Sequence, residues 1–208
     1  LFRELQKRRI AYCAASSQDM DITKADSVRK KILAYRPEAV IHCAAYTAVD
    51  RAEDEPGLAF AVNEGGTKNI AESCEQTGAT QAYEADAPAG PLNVYGQSKL
   101  AGELAVKESL RRYFIVRTSW VFGVNGNNFV KTMLQLSETR GRVRVVDDQV
   151  GSPTYTVDLA SLLCDMVQTE KYGVYHASNE GECSWAEFAR AVYEIAGRPT
   201  VVEPVETE

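Results

Sequence analysis

Residues 92–103 read Leu-Asn-Val-Tyr-Gly-Gln-Ser-Lys-Leu-Ala-Gly-Glu, with Tyr95 and Lys99 four positions apart. On a helix that spacing puts both side chains on one face, with Cβ atoms about 5–6 Å apart. A helix is the expectation. Leu100 and Leu104 continue from Tyr95 at near-helical spacing, and Glu103 with Lys107 is an i,i+4 pair. A free phenol has a pKa of about 10 and is a poor acid–base group near neutrality. A nearby ammonium favours phenolate, so Lys99 is expected to lower the pKa of Tyr95. The tuned phenol can then give a proton to a carbonyl oxygen as a hydride reaches the carbon. An ordinary surface helix can carry the same pair, so the surroundings must decide its meaning.

Outward from this stretch, helical and extended patterns alternate. Helices are expected over residues 1–8, over 26–35 with Val28, Ile32 and Leu33 inward and Pro37 as a stop, and over 58–76 closed by Gly78. Further helices are expected over 129–137 and 157–169, and from the capping box Ser184-Trp185-Ala186-Glu187 to Ala196, with Gly197 past its end. Strands are expected over residues 9–14, 39–45, 113–122, 142–146 and 173–177. The alternation predicts an α/β fold with a doubly wound, mainly parallel sheet. Residues 1–122 form the expected dinucleotide-binding core, and residues 123–208 a small, mainly substrate-binding portion with one returning core strand.

Two junctions break the pattern. After Gly78 a strand is due, yet residues 80–88 are polar and run straight into the Tyr95 stretch. A first strand and a glycine-rich turn feeding the Leu1 helix are missing as well. An α/β sheet without those strands would leave apolar faces uncovered. The sequence therefore reads as one from which segments have been left out, above all between Ala79 and Gln81.

Composition narrows the classes. The 208 residues are 45% hydrophobic and 25% charged, ordinary for a soluble globular chain. The net charge of −6 argues against a nucleic-acid surface. No apolar run approaches the roughly 18 residues of a membrane span, and no signal peptide is visible. Cys13, Cys43, Cys74, Cys164 and Cys183 are odd in number and widely spaced, which suits buried free thiols in a reducing cytoplasm. With only His42 and His176 besides them, metal ligation has little to build on. His42 pairs with no nucleophile and reads as a satisfied strand residue.

Four stretches carry a family resemblance. They are Val40-Ile41-His42-Cys43-Ala44-Ala45-Tyr46-Thr47-Ala48-Val49-Asp50-Arg51-Ala52-Glu53, Asn93-Val94-Tyr95-Gly96-Gln97-Ser98-Lys99-Leu100, Val116-Arg117-Thr118-Ser119-Trp120-Val121-Phe122 and Asp148-Gln149-Val150-Gly151-Ser152-Pro153-Thr154. In this order they closely resemble the dTDP-4-dehydrorhamnose reductase family of extended short-chain dehydrogenases, over nearly the whole chain. The resemblance implies a Rossmann-like fold and a cytoplasmic enzyme of dTDP-rhamnose and polysaccharide biosynthesis. It would reduce the 4-keto group of the dTDP-sugar dTDP-4-dehydro-L-rhamnose with NADPH or NADH, giving dTDP-L-rhamnose.

By the same resemblance Tyr95 is the proton donor, and Lys99 its electrostatic partner and a holder of the nicotinamide ribose. Asp21 and Ile22 match the loop that meets the adenine ring, though Asp21 can equally be a turn aspartate. Ala45, Tyr46 and Thr47 match cofactor-lining residues at the carboxyl end of a strand, where α/β sheets place ligands. Trp120 matches a substrate-side tryptophan able to cover the apolar face of a deoxysugar, with core packing as the other reading. Asn127, Asn128 and residues 148–154 are candidates to hold nucleotide or sugar without an assigned role. Arg117 reads as packing or a buried ion pair. The resemblance also extends to a homodimer, in some members with Mg2+ between subunits.

The sequence departs from the family in lacking the Gly-x-x-Gly-x-x-Gly turn and the Ser/Thr-Asp segment with the third catalytic hydroxyl, both at the two broken junctions. NAD-specific sites usually carry an acid after the second strand. Residues 12–17 offer neither acid nor arginine, which leans towards NADPH or dual use. Two other readings remain: a related sugar-nucleotide epimerase or dehydratase, and a non-catalytic regulator similar to the regulatory subunit of methionine adenosyltransferase.

Overall fold

Apolar spacing and end signals place most helices where the sequence puts them. The computed structural model describes residues 1–77 and 90–207. The elements in chain order are α1 (Phe2–Lys7), α2 (Ala25–Tyr35), α3 (Val49–Asp54), α4 (Pro56–Phe60), a π-helical turn (Ala61–Gly66), α5 (Thr67–Thr77) and α6 (Val94–Ser109). There follow β1 (Phe114–Arg117), β2 (Val121–Phe122), α7 (Phe129–Thr139), β3 (Arg142–Val146), β4 (Val150–Gly151), β5 (Thr154–Tyr155) and α8 (Thr156–Met166). The last are β6 (Gly173–His176), β7 (Cys183–Ser184), α9 (Trp185–Ile195) and β8 (Val201–Val205).

The chain folds as two units, each with its own core. One comprises Phe2–Arg117 with Cys164–His176. Its core is the seam of α2, α5 and α6, where Val28, Ile32, Ile70, Ala71, Cys74, Val106 and Leu110 are buried together. In α2 the buried positions are Val28 and Ile32, one turn apart, whereas Leu33 is 41% exposed and does not point inward as expected. Beside this core β1 pairs in parallel with β6, from Phe114 opposite Gly173 to Arg117 opposite His176.

The other unit contains residues 118–163 and the stretch from Ala177 onward. There β3 pairs in parallel with β8, which the sequence reading did not anticipate. Helix α9 packs on both strands and on α7. Met133, Val143, Val145, Ala186, Ala189, Val192 and Tyr193 close the core. Helix α9 starts at the expected capping box: Ser184 Oγ accepts from Glu187 N at 3.1 Å, and Glu187 Oε2 accepts from Ser184 N at 2.8 Å. Gly197 follows its end with φ +61°.

Among the described residues three of the four strand pairs are parallel, and helices lie between the two partners of each pair in sequence, a Rossmann-like α/β arrangement. Two expected strands are absent as ladders. Residues 9–14 and 40–45 run without ladder hydrogen bonds, apart from an isolated bridge at Ala39. A β-strand exists only beside a bonded neighbour, and among the described residues neither stretch has a ladder partner. Their openness also corrects the cysteine expectation: none of the five cysteines is in a disulfide, but Cys13 and Cys43 are exposed. The expected strand over 113–122 is broken into β1 and β2 at Trp120, whose φ of +47° cannot continue a ladder. Gly78 and the junction at residues 79–81 lie outside the described residues.

Candidate active site

Helix α6 begins where its cap dictates. Asn93 is extended, and its Oδ1 accepts from Gly96 N at 2.7 Å. Glu53 Oε1 accepts from Val94 N at 2.8 Å, which places a carboxylate at the positive end of the helix. Tyr95 therefore sits in the first turn and Lys99 in the second, on one face and both half-buried. Gly102 lets the helix approach its neighbour: a Cβ there would lie 2.3 Å from the Asn63 carbonyl oxygen.

The expected pair of Glu103 with Lys107 does not form. Glu103 instead takes both arms of Arg117, accepting from Nε at 2.9 Å and Nη2 at 2.7 Å. A partly buried guanidinium fork is a stronger partner than an exposed lysine on the same helix. The pair ties α6 to β1, as the ion-pair reading of Arg117 anticipates. It also leaves the Lys99 ammonium without an ion pair among the described residues.

The electrostatics correct one expectation. Burial pushes the Tyr95 phenol above its ordinary range, with no opposing pull from Lys99. Burial pushes the Lys99 ammonium down, against a smaller upward pull from Glu103. Desolvation outweighs the attraction because it acts on each charged form separately, whereas the attraction needs close contact. The phenol thus remains protonated at neutral pH, the form a proton donor needs.

Asn63 is a residue the sequence reading missed. It lies in the π-turn, 2% exposed. Its Oδ1 accepts from Tyr46 N at 2.9 Å, and its Nδ2 donates to Tyr46 O at 3.2 Å and to Ser98 Oγ at 2.9 Å. Ser98, fully buried, donates onward to the Tyr95 carbonyl at 2.8 Å. One amide therefore fastens the Tyr46 backbone to the helix turn that carries Tyr95. A single π-turn inside a helix often marks a functional site, but no sequence pattern separates Asn63 from a routine helix residue. Asn63→Ala should leave the Tyr46 amide without its acceptor and lower stability by about 1–3 kcal/mol, read by urea unfolding.

His42 completes this neighbourhood. Its Nε2 lies 3.2 Å from Thr67 Oγ1, as a satisfied polar residue should. Burial, helped by the Lys99 charge, holds its pKa down at about 4. Between pH 6.5 and 4 the unfolded chain therefore takes a proton that the folded chain refuses. Stability from this source is present above pH 6.5 and lost as pH falls, by up to about 3 kcal/mol. His42→Gln should flatten that part of the pH–stability curve, as measured by urea unfolding at a series of pH values.

The other candidates fall as follows. Asp21 makes a turn: Oδ1 accepts from Thr23 N at 3.1 Å and Thr23 Oγ1 at 2.7 Å, and Oδ2 pairs with Lys24 at 3.0 Å. These bonds hold its carboxyl below the usual range and occupy part of its acceptor capacity. Ile22 is pinned from two sides. Asn69 donates to its carbonyl at 2.8 Å, and its side chain fills the space where a Cβ on Gly66 would stand, 2.7 Å away. Ala45 and Tyr46 are half-buried and Thr47 exposed. The Tyr46 hydroxyl donates to Glu55 at 2.7 Å. Asn128 caps α7, its Oδ1 accepting from Lys131 N at 3.2 Å, and donates to Gly123 O at 2.8 Å. Its place is structural.

In the unit containing residues 118–163, Trp120 stacks on Trp185 with ring centroids 3.6 Å apart. An open cleft of about 490 Å3 in that unit is lined by Phe122, Pro153, Tyr155 and residues 179–183, and holds neither Tyr95 nor Lys99. The chemistry of α6 is the better guide to the reacting centre. Among the described residues no group of three or more His, Cys, Asp or Glu side chains could hold a metal ion, so the Mg2+ expectation gains no ligand set. No helix among them is long and apolar enough to cross a membrane. A protonated phenol beside an ammonium with no ion pair is a donor set suited to the ribose hydroxyls and carboxamide end of a nicotinamide cofactor. For the pyrophosphate the sequence offers no glycine-rich turn, and no residue is assigned to it.

Comparison with known proteins shows the family and the fold. The family model described as RmlD substrate binding domain matches residues 1–208. The chain is 39% identical to the spore coat polysaccharide biosynthesis protein SpsK of Bacillus subtilis, over 100% of this chain and 78% of that protein. It is 40% identical to a dTDP-4-dehydrorhamnose reductase of Streptomyces griseus, over 96% of this chain and 73% of that one. The match to SpsK extends over 223 aligned positions against 208 residues here, so SpsK carries residues inside the aligned span that this chain lacks. The crystal structure of a Bacillus anthracis dTDP-4-dehydrorhamnose reductase in complex with NADP is similar with a TM-score of 0.90 and 42% identity, covering 93% of this chain and 75% of that one. Four motifs in register, a Rossmann-like arrangement and a match from the first residue to the last lead to one conclusion: the chain belongs to the RmlD substrate-binding-domain family.

Proposed function

We propose that this protein is an NAD(P)H-dependent reductase of the 4-keto group of a dTDP-6-deoxysugar, converting dTDP-4-dehydro-L-rhamnose to dTDP-L-rhamnose. The observation that carries the reading is the Tyr95–Lys99 pair on one face of α6, both half-buried, with no hydrogen bond to the phenol hydroxyl and no ion pair to the ammonium among the described residues. The reduced nicotinamide, when bound, supplies hydride to the carbonyl carbon. Tyr95 donates its proton to the carbonyl oxygen. The Lys99 ammonium stabilises the negative charge that develops as the phenol loses its proton, and donates to ribose hydroxyls. The Glu103–Arg117 pair and the Asn63–Ser98 bridge hold α6 against the rest of the site. Ala45, Tyr46 and Thr47 line the cofactor, Asp21 and Ile22 meet its adenine end, and Trp120 meets the sugar. Five cysteines with no disulfide among them suit a reducing cytoplasm.

The test is loss of the reduced-nicotinamide absorbance when the purified protein meets NADPH or NADH and dTDP-4-dehydro-L-rhamnose, with dTDP-L-rhamnose as product. An epimerised or dehydrated sugar without net cofactor oxidation would move the assignment to those relatives. No turnover, with tight association to methionine adenosyltransferase, would replace the enzyme by the regulator.

A further inference from the structure

The protein has two tryptophans, and they are stacked on each other. Trp120 and Trp185 lie with ring centroids 3.6 Å apart and planes 15° from parallel. Aromatic pairs prefer offset or edge-to-face arrangements to a full sandwich, so this geometry is imposed on the rings. Trp120 also carries φ +47°, a left-handed conformation that strains a non-glycine residue, and such strain clusters at functional sites.

Two neighbours impose the arrangement. Trp185 opens α9, behind the Ser184–Glu187 capping box, and tilts against Phe129 with centroids 4.6 Å apart. On Gly151 a Cβ would stand 2.8 Å from Trp120 Cε2, 2.9 Å from Cζ2 and 3.1 Å from Nε1. Such distances to three consecutive ring atoms put that Cβ over a ring face. Trp185 already fills one face, so Gly151 backs the other. What remains of the half-buried indole is its rim, and its Nε1–H has no hydrogen-bond partner among the described residues.

We infer that Trp185 is a positioning residue: with Gly151 it clasps Trp120 so that the indole meets the deoxysugar by its N–H-bearing rim instead of covering it with a face. The inference rests on the reading of Trp120 as a substrate-side residue. It extends that reading by naming the residue that orients the indole and the hydrogen bond it offers to a sugar hydroxyl.

The experiment uses the purified protein with NADPH and dTDP-4-dehydro-L-rhamnose. With only two tryptophans, far-ultraviolet circular dichroism in the region of the strong indole B band reads the stack directly, because two closely stacked indoles give an exciton couplet there that vanishes when either is replaced. Trp185→Leu should abolish the couplet and raise KM for the sugar nucleotide about tenfold, equivalent to about 1.4 kcal/mol. Its kcat and its dissociation constant for NADPH should stay within about twofold. Trp185→Phe, which keeps a ring in place, should restore most of the KM. Gly151→Ala, which pushes the indole from the other side, should raise KM in the same way and serves if the leucine variant does not fold. Loss of the couplet with an unchanged KM would overturn the inference. A KM unchanged by Trp120→Leu would instead remove Trp120 from the sugar site, which is failure of the underlying reading.

Discussion

Replacing Tyr95 by phenylalanine is expected to lower kcat by about 10²–10⁴-fold while NADPH binding and stability stay near wild type. The ring is half-buried in the first turn of α6, and its hydroxyl makes no hydrogen bond among the described residues. Phenylalanine therefore keeps the packing and deletes one functional atom. No other described side chain on the exposed face of this turn offers a proton in its place, since Ser98 is fully buried and committed to the Tyr95 carbonyl and Asn63. Steady-state kinetics with a fluorescence titration of NADPH separates the two effects. Turnover equal to wild type would remove Tyr95 from the mechanism.

Lys99→Met is expected to cost about 10²–10³-fold in kcat and, unlike the tyrosine change, to weaken cofactor binding as well. Methionine keeps an apolar stem of similar length and removes the charge. The pH profile gives a second reading. The ammonium is the active form, and burial lowers its pKa below the ordinary lysine range. In the wild type kcat/KM should therefore be level near neutrality and fall as pH rises through that lowered value. The phenol, raised by burial, titrates later. In Lys99→Met the lysine limb should disappear, leaving a lower but flatter profile. An alkaline limb that survives unchanged in this variant would assign it to another group.

The two predictions differ because the residues act at different atoms, although four positions of one helix carry both. That much was readable in the chain. The spacing of Tyr95 and Lys99, the Ser184–Glu187 box and the helical spacing of Val28 and Ile32 in α2 are local signals, and local hydrogen bonding enforces them. The direction of the pKa shifts was not readable. Proximity in sequence argued for a lowered phenol pKa, but burial is a property of everything packed around a group and here it is the larger effect. Glu103 gives the same lesson. Its sequence neighbour Lys107 lost to Arg117, fourteen residues away, because the partly buried fork makes two charge-assisted bonds.

Asn63 and Trp185 were invisible for a related reason. An asparagine inside a helix, or a tryptophan after a cap, has no distinctive spacing. Each acquires its role only when a distant segment arrives: the Tyr46 backbone for Asn63, and the left-handed Trp120 with its Gly151 backing for Trp185. The strands expected at residues 9–14 and 39–45 erred in the opposite direction. Their composition suits a strand, but a ladder takes two chains, and no neighbour forms one with them among the described residues.

The sequence by itself determined the α/β alternation, most of the helices, the placing of Tyr95 and Lys99 on one helix face and, through four motifs, the family. Tertiary structure alone decided which charges are paired, which protonation states burial favours and which residues fasten the turn that carries Tyr95. The division follows from range: helix periodicity and caps are settled within a few residues by backbone geometry, whereas desolvation and ion pairing depend on atoms that only folding brings within a few ångströms.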